Sequence, residues 1–137
     1  MRAELYLVDT SIWLEVLPPG RGTPELRERM DLLLAGDVVA TTGMVRLELL
    51  GGMRTQGEYR RLAELLRALH TLAVTEHMWD TACRAGFELR RRGITVPFTD
   101  LLIAAVAMGA DAVLVHGDSH FDSIAQHAPL KVESYVR

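Results

Sequence analysis

The chain has 137 residues, 49% of them apolar and 24% charged, with a formal net charge of −3. That size and composition describe a single domain over 1–137 with an ordinary hydrophobic core, and exclude a disordered or polycationic chain. No apolar stretch reaches the ~20 residues of a membrane helix, Met1 to Leu7 lacks the features of an export signal, and the lone Cys83 excludes an internal disulfide or thiolate zinc site, which fits a cytoplasmic protein.

Residues 4–8 are an apolar run of strand length that ends at Asp9. Thr10 or Ser11 can then cap a helix through Trp13 and Leu17, which Pro18-Pro19-Gly20 stops. Thr23 before Pro24 predicts a capped helix with Leu26, Met30, Leu33 and Leu34 on one face and Gly36 at its end. Val38 to Ala40 is a second strand, and Thr42 opens the helix that carries Glu48 and stops at Gly51-Gly52. Tyr59, Leu62, Leu65, Leu66 and Leu69 recur at helical spacing between arginines, and Leu72 to Val74 is a third strand. From Thr75 to Arg92 the spacing predicts a helix whose Trp79, Cys83 and Phe87 form a core stripe. Gly93 to Phe98 is a loop, and Thr99-Asp100 opens a helix that is apolar from Leu101 to Met108. Val113 to Val115 is a fourth strand, a loop at Gly117 to His120 leads to a helix from about Phe121, and the last strand lies around Leu130 to Val132.

Strands and helices alternate, and the strands are continuous apolar runs. The pattern predicts an α/β three-layer sandwich with a short, mainly parallel central sheet flanked by helices. Ligands of such sheets bind beyond the carboxyl ends of the strands, near a topological switch point. Asp9 and Asp118 each follow a strand directly and belong at that edge.

Four acids, Asp9, Glu48, Asp100 and Asp118, stand beside or within apolar segments. Carboxylates cost several kcal/mol to bury unless a cation compensates them. Each also has a structural reading: Asp9 as a helix cap, Asp100 as a first-turn acid favoured by the macrodipole, Glu48 on a broad polar helix side, and Asp118 as a turn residue. Asp122 reads as an N-cap or first-turn acid of the last helix. His116 and His120 are a poor zinc set without further His or Cys, and His120 reads as a rim residue. If the four acids share a cleft, all-oxygen ligation selects Mg²⁺ or Mn²⁺. Such a site can activate water and neutralise charge on a phosphodiester without any nucleophilic side chain, so metal-assisted phosphodiester hydrolysis is the reaction class that follows.

Fourteen of the fifteen Lys and Arg residues are Arg, with clusters at Arg60-Arg61 and Arg90-Arg91-Arg92. Their planar forks suit phosphate, which makes these clusters candidate nucleic-acid contacts beside their plain reading as solvated helix faces.

Four motifs occur in order: Leu7-Val8-Asp9-Thr10-Ser11-Ile12-Trp13-Leu14, Arg46-Leu47-Glu48-Leu49-Leu50-Gly51-Gly52, Phe98-Thr99-Asp100-Leu101-Leu102-Ile103-Ala104-Ala105 and Val115-His116-Gly117-Asp118-Ser119-His120-Phe121-Asp122. Together they make the chain similar, over essentially its whole length, to the PIN-domain ribonucleases and specifically to VapC toxins of toxin–antitoxin systems. The resemblance implies a PIN-like sandwich and a Mg²⁺- or Mn²⁺-dependent endoribonuclease. It implies an acidic catalytic and metal-binding quartet at Asp9, Glu48, Asp100 and Asp118, with Ser11 positioning water. It also implies homodimers and inhibition by a VapB-type antitoxin in a hetero-oligomer. Where many members carry a further acid two residues after the last of the quartet, this chain has His120. A PIN nuclease of RNA processing without an antitoxin is the alternative. A phosphoaspartate receiver lacks its acidic doublet and has only Lys131 to offer, and a haloacid-dehalogenase-like phosphatase needs a second Asp where Ser11 stands.

Overall fold

The computed structural model describes residues 3–137; Met1 and Arg2, part of the segment read above for an export signal, lie outside the described residues. Five short strands, β1 (Tyr6–Val8), β2 (Val39–Thr42), β3 (His70–Leu72), β4 (Val113–His116) and β5 (Val132–Ser134), form one sheet in the order β3-β2-β1-β4-β5. Every pairing is parallel. The central strands are covered on both faces, and Leu7, Val8, Ala40, Leu114 and Val115 are fully buried, as continuous apolar strands of a parallel sheet should be. Seven helices supply the cover: α1 (Thr10–Val16), α2 (Pro24–Ala35), α3 (Gly43–Gly51), α4 (Gln56–Arg67), α5 (Glu76–Arg91), α6 (Phe98–Gly109) and α7 (Ser119–Ala125). No helix among the described residues is long and apolar enough to cross a membrane.

The chain builds outward from β1 through β2 to β3, then returns to the other side of β1 for β4 and β5. The switch point is therefore the crevice between the carboxyl ends of β1 and β4. α6 is the buried helix of the fold, with Leu101 to Ala107 all inside. It packs closely on α5 because two glycines leave room: a Cβ on Gly86 would stand 3.0 Å from Leu101 Cδ1, and one on Gly109 would stand 2.9 Å from Met78 side-chain atoms. A larger residue at either place would make the Leu101 or Met78 side chain shift.

Several expected boundaries move. β3 is His70–Leu72 rather than 72–74, β5 is Val132–Ser134 rather than around 130–132, and α7 begins at Ser119 rather than near Phe121. β2 runs on to Thr42, which lies at the strand–helix junction and donates its hydroxyl to Leu72 O at 2.7 Å instead of capping α3. The cap of α1 is Asp9 and not Thr10 or Ser11.

The larger correction concerns α5. Trp79, Cys83 and Phe87 were expected in the core, yet Cys83 is exposed, Trp79 is 47% exposed and Phe87 60%. The core face of this helix is Met78, Ala82 and Leu89. The i, i+4, i+8 rule identifies residues on a common face, and both sets obey helical spacing. Which face turns inward is decided by α6, whose closest approach runs along Met78 and Gly86.

Candidate active site

Asp9 leaves β1 at the switch point and is 4% exposed. Its extended backbone ends the strand, its N–H donates to Val115 O at 2.9 Å, and its Oδ2 caps α1 by accepting from Ser11 N at 3.0 Å. Capping and site membership are thus one role: the same bond that starts α1 fixes the carboxylate at the sheet edge. Ser11 reinforces it. Its hydroxyl donates to Asp9 Oδ2 at 2.6 Å and accepts from Gly117 N at 3.0 Å, so one side chain ties the end of β1 to the end of β4.

Asp118 is the equivalent residue on the neighbouring strand. It is the N-cap of α7 and accepts from His120 N through Oδ1 at 2.9 Å. Its own N–H donates to His116 Nδ1 at 3.1 Å. His116 is fully buried, and burial holds its pKa below the ordinary histidine range although Asp122 opposes this. Because Nδ1 accepts a backbone N–H, the neutral ring carries its proton on Nε2, 3.0 Å from Asp122 Oδ1. Asp122 in turn accepts from Ser134 Oγ at 3.0 Å. Asp122 is therefore a first-turn acid of α7 occupied in supporting His116.

Glu48 reaches the site from α3 on the exposed side, where Thr10 Oγ1 donates to its Oε1 at 2.9 Å. The leucines on either side of it in the sequence do not bury it; Leu47 is exposed and Leu49 is inside. Asp100 stands in the first turn of α6 and is 8% exposed. Its carboxyl is pushed up to about 6, first by burial and then by the negative charges of Asp118, Asp9 and Glu48, with His120 pulling the other way. The charges of the other three acids thus all reach Asp100. Among the described residues no Lys or Arg is paired with any of them, and the partner that comes within reach is His120, 3.2 Å from Asp100 Oδ2 and 3.0 Å from Asp118 Oδ1. Lys131, the one cation a receiver could use, is bound by Glu4 and Asp111 at the amino ends of β1 and β4.

The set fits a hard cation on its own evidence. Asp100 Oδ2 is sealed from solvent yet accepts no hydrogen bond, and a buried carboxylate oxygen without a donor is costly unless something positive meets it. Asp100, Asp118 and His120 each offer a donor atom within 4.8 Å of the others. Beside Asp118 an open pocket of about 460 Å³ is bordered by Ser11, Glu15, Gly117, Ser119, Tyr135 and Arg137. An apolar groove lies elsewhere, between α5 and α6, bordered by Trp79, Phe87, Ile94 and Phe98, and has none of this chemistry.

Three supporting residues were not singled out from sequence for the roles they fill. Thr10 holds Glu48, His116 holds the Asp118 backbone, and Ser11 holds Asp9 and Gly117. The hydroxyls adjacent to Asp9 were a usable signal; the contact with Glu48, 38 residues away, was not. The arginine clusters are exposed. Arg60 and Arg61 lie on α4, Arg90 and Arg91 in the last turn of α5, where Arg91 stacks over Phe87 at 5.6 Å, and Arg92 bonds His127 Nδ1 at 2.9 Å.

The PIN domain profile matches residues 6–126. Ribonuclease VapC18 of Mycobacterium tuberculosis is 30% identical over 125 residues, 88% of each chain, and ribonuclease VapC11 of the same organism is 31% identical over 134 residues, 96% of this chain and 99% of that one. Among solved structures, that of VapBC2 from Rickettsia felis bound to a promoter DNA fragment superposes with a TM-score of 0.79 at 20% identity, over 96% of this chain and 98% of the other. M. tuberculosis VapC20, a sarcin-ricin loop cleaving toxin, gives 0.65 at 20% identity over 92% and 98%. This chain belongs to the PIN domain family and, within it, to the VapC group.

Proposed function

We propose that this chain is a Mg²⁺- or Mn²⁺-dependent endoribonuclease and the toxin of a type II toxin–antitoxin pair. The observation that carries the metal-dependent reading is Asp100: a buried carboxylate oxygen with no hydrogen-bond donor, surrounded by three further acids and no Lys or Arg among the described residues. The relatives named as VapC ribonucleases support the RNA substrate. When bound, the ion supplies Lewis acidity to phosphodiester oxygens and lowers the pKa of a coordinated water.

The protein's part is to hold the donors. Asp9, Glu48, Asp100 and Asp118 would hold the ion. Ser11 orients Asp9, Thr10 orients Glu48, and the His116–Asp122–Ser134 chain fixes the start of α7 and with it Asp118. Each acid that is bonded keeps capacity to spare, since a carboxylate accepts at about four lone-pair sites. Asp9 and Asp100 bring the two least solvated negative charges, which raises their attraction for a cation. Ser11 could also orient water, but its two hydrogen bonds favour a role in holding Asp9 and Gly117.

Solved relatives of this fold are VapBC complexes, which supports a VapB-type antitoxin as partner. Exposed Leu14 lies one turn beyond Thr10 on α1, and exposed Leu47 precedes Glu48 on α3. Together they offer an apolar rim beside the acids for a partner segment to cover. For the homodimer we infer the groove between α5 and α6 as the self-contact, because Trp79, Phe87 and Phe98 leave an exposed aromatic surface there that a second copy would bury.

Purified protein should cut a structured RNA only with Mg²⁺ or Mn²⁺, and Asp9→Ala or Asp100→Ala should each slow cleavage on the order of 100-fold or more. Metal-independent cutting, or full activity in both variants, overturns the reading. Co-purification with a small DNA-binding protein encoded beside it supports the toxin role over an RNA-processing nuclease.

A further inference from the structure

His120 has a half-exposed side chain, and its surroundings are unusual for a surface histidine. Its Nδ1 is sealed from solvent and makes no hydrogen bond, although Asp100 Oδ2 lies 3.2 Å away and Asp118 Oδ1 3.0 Å away. Asp100 Oδ2 is equally buried and equally unbonded. Three donor atoms, Asp100 Oδ2 from α6, Asp118 Oδ1 from the end of β4 and His120 Nδ1 from α7, lie within 4.8 Å of one another, and two of the three are buried without a hydrogen bond.

The spacing suits a small octahedral ion as well as it suits an N–H···O contact. Neighbouring ligands of an octahedral ion with bonds of about 2.1 Å stand roughly 3.0 Å apart. The two His120 separations, 3.0 and 3.2 Å, match it. The position of the ring is also fixed locally. His120 is the second residue of α7, and its backbone N–H is the one that Asp118 accepts at 2.9 Å. The cap that orients Asp118 therefore orients His120 with it.

Resting on the metal-nuclease reading above, we propose that His120 Nδ1 is itself a metal ligand, so that the centre is a mixed carboxylate–imidazole site selective for Mn²⁺ over Mg²⁺. The physical reason is ligand preference. Mg²⁺ takes oxygen donors and resists exchanging its waters for nitrogen, whereas imidazole suits first-row transition ions. An aspartate at 120 would supply a hard oxygen and a further negative charge, which suits Mg²⁺. Histidine supplies neither: as a ligand it is a neutral imidazole, which adds nitrogen coordination and leaves the charge of the four carboxylates as it is.

Calorimetric titration of the purified chain with MnCl₂ and with MgCl₂ tests this, together with pulsed electron paramagnetic resonance of the Mn²⁺-loaded protein. In the wild type, Mn²⁺ should show nitrogen hyperfine coupling of the imidazole kind. His120→Asp should abolish that coupling and lower the Mn²⁺-to-Mg²⁺ affinity ratio on the order of tenfold, while circular dichroism shows the fold intact. His120→Ala should weaken Mn²⁺ more than Mg²⁺. Mn²⁺ bound with no nitrogen coupling in the wild type, or an affinity ratio unchanged in His120→Asp, overturns the assignment of His120 and leaves the acidic quartet standing. Asp100→Ala that binds Mn²⁺ as tightly as the wild type overturns the site as a whole, His120 included.

Discussion

The first turn of α6 faces two ways. Asp100 points into the crevice at the switch of the sheet and is 8% exposed, while Phe98, two residues earlier, is 78% exposed beside the groove on α5. The burial of these two residues is the reverse of what their polarity suggests: the carboxylate is inside and the ring is outside. In a folded chain that inversion carries information, because a buried charge and an exposed aromatic each cost stability unless something outside the chain completes them. The buried acid calls for a small cation. The exposed ring calls for an apolar surface. On the proposed reading one half-turn of helix would serve an interior ion site and an exterior docking face, and the two should fail independently.

The sharpest test of that independence is the pair Asp100→Ala and Phe98→Glu. The first should reduce cleavage on the order of 100-fold or more and leave the sedimentation of the protein unchanged. The second, combined with Trp79→Glu, should convert a dimer to a monomer in sedimentation while Mn²⁺ affinity stays within about twofold, since surface changes away from the ligands are small in effect. If the Glu variants lose metal affinity as well, the two faces are one site.

The next largest effect is on stability without metal. The Asp100 carboxyl titrates at about 6 in the folded chain, above its ordinary value of 3.8. The folded state therefore holds this proton more tightly than the unfolded state, so stability falls as pH rises from about 4 to about 6 and does not recover above it. Asp100→Asn should accordingly stabilise the metal-free chain by on the order of 2 kcal/mol at about pH 7.5, with the gain vanishing near pH 4. His116 works in the opposite sense. Its lowered pKa contributes stability above about 6.5 that is lost on acidification, but it is common to both proteins and cancels in the difference. A gain independent of pH, measured by urea unfolding, would mean that the Asp100 charge is not what costs stability.

Smaller effects come from the residues that hold the acids. Ser11→Ala removes the bridge from Asp9 to Gly117 and should weaken Mn²⁺ about tenfold, the lower end for a residue that orients a ligand. Thr10→Val should do less, because Glu48 is exposed and keeps its water. The least effect should come from the arginines. Gln at Arg60 and Arg61, or at Arg90, Arg91 and Arg92, should lower the salt slope of single-stranded RNA binding by about 0.7 for each true phosphate contact. An unchanged slope assigns that cluster to ordinary surface.

Most of the architecture was legible in the chain. Continuous apolar runs at Leu5 to Val8 and Val113 to Val115, alternating with helices, specify a covered parallel sheet, and the strand ends then point to Asp9 and Asp118. Thr23-Pro24 and Gly36 bounded α2 correctly, because capping is decided by residues within one turn of each other. The site was harder. A structural reading, cap for Asp9 and turn residue for Asp118, competes with the ligand reading in the sequence, yet in the fold both residues cap a helix at the crevice. Glu48 read as an acid wedged among leucines, but it is exposed and held by Thr10.

What the sequence by itself determined is the order of elements and the residue types at the sheet edge, since period, caps and strand-end acids are local properties of the chain. Only tertiary structure decided which apolar stripe of α5 turns inward, because Met78–Ala82–Leu89 and Trp79–Cys83–Phe87 are equally good helical faces until α6 packs against one of them. Only tertiary structure, likewise, set His120 between Asp100 and Asp118. A donor set is a matter of distances across the chain, and no spacing along it can specify three atoms from a helix start, a strand end and a second helix converging within 4.8 Å.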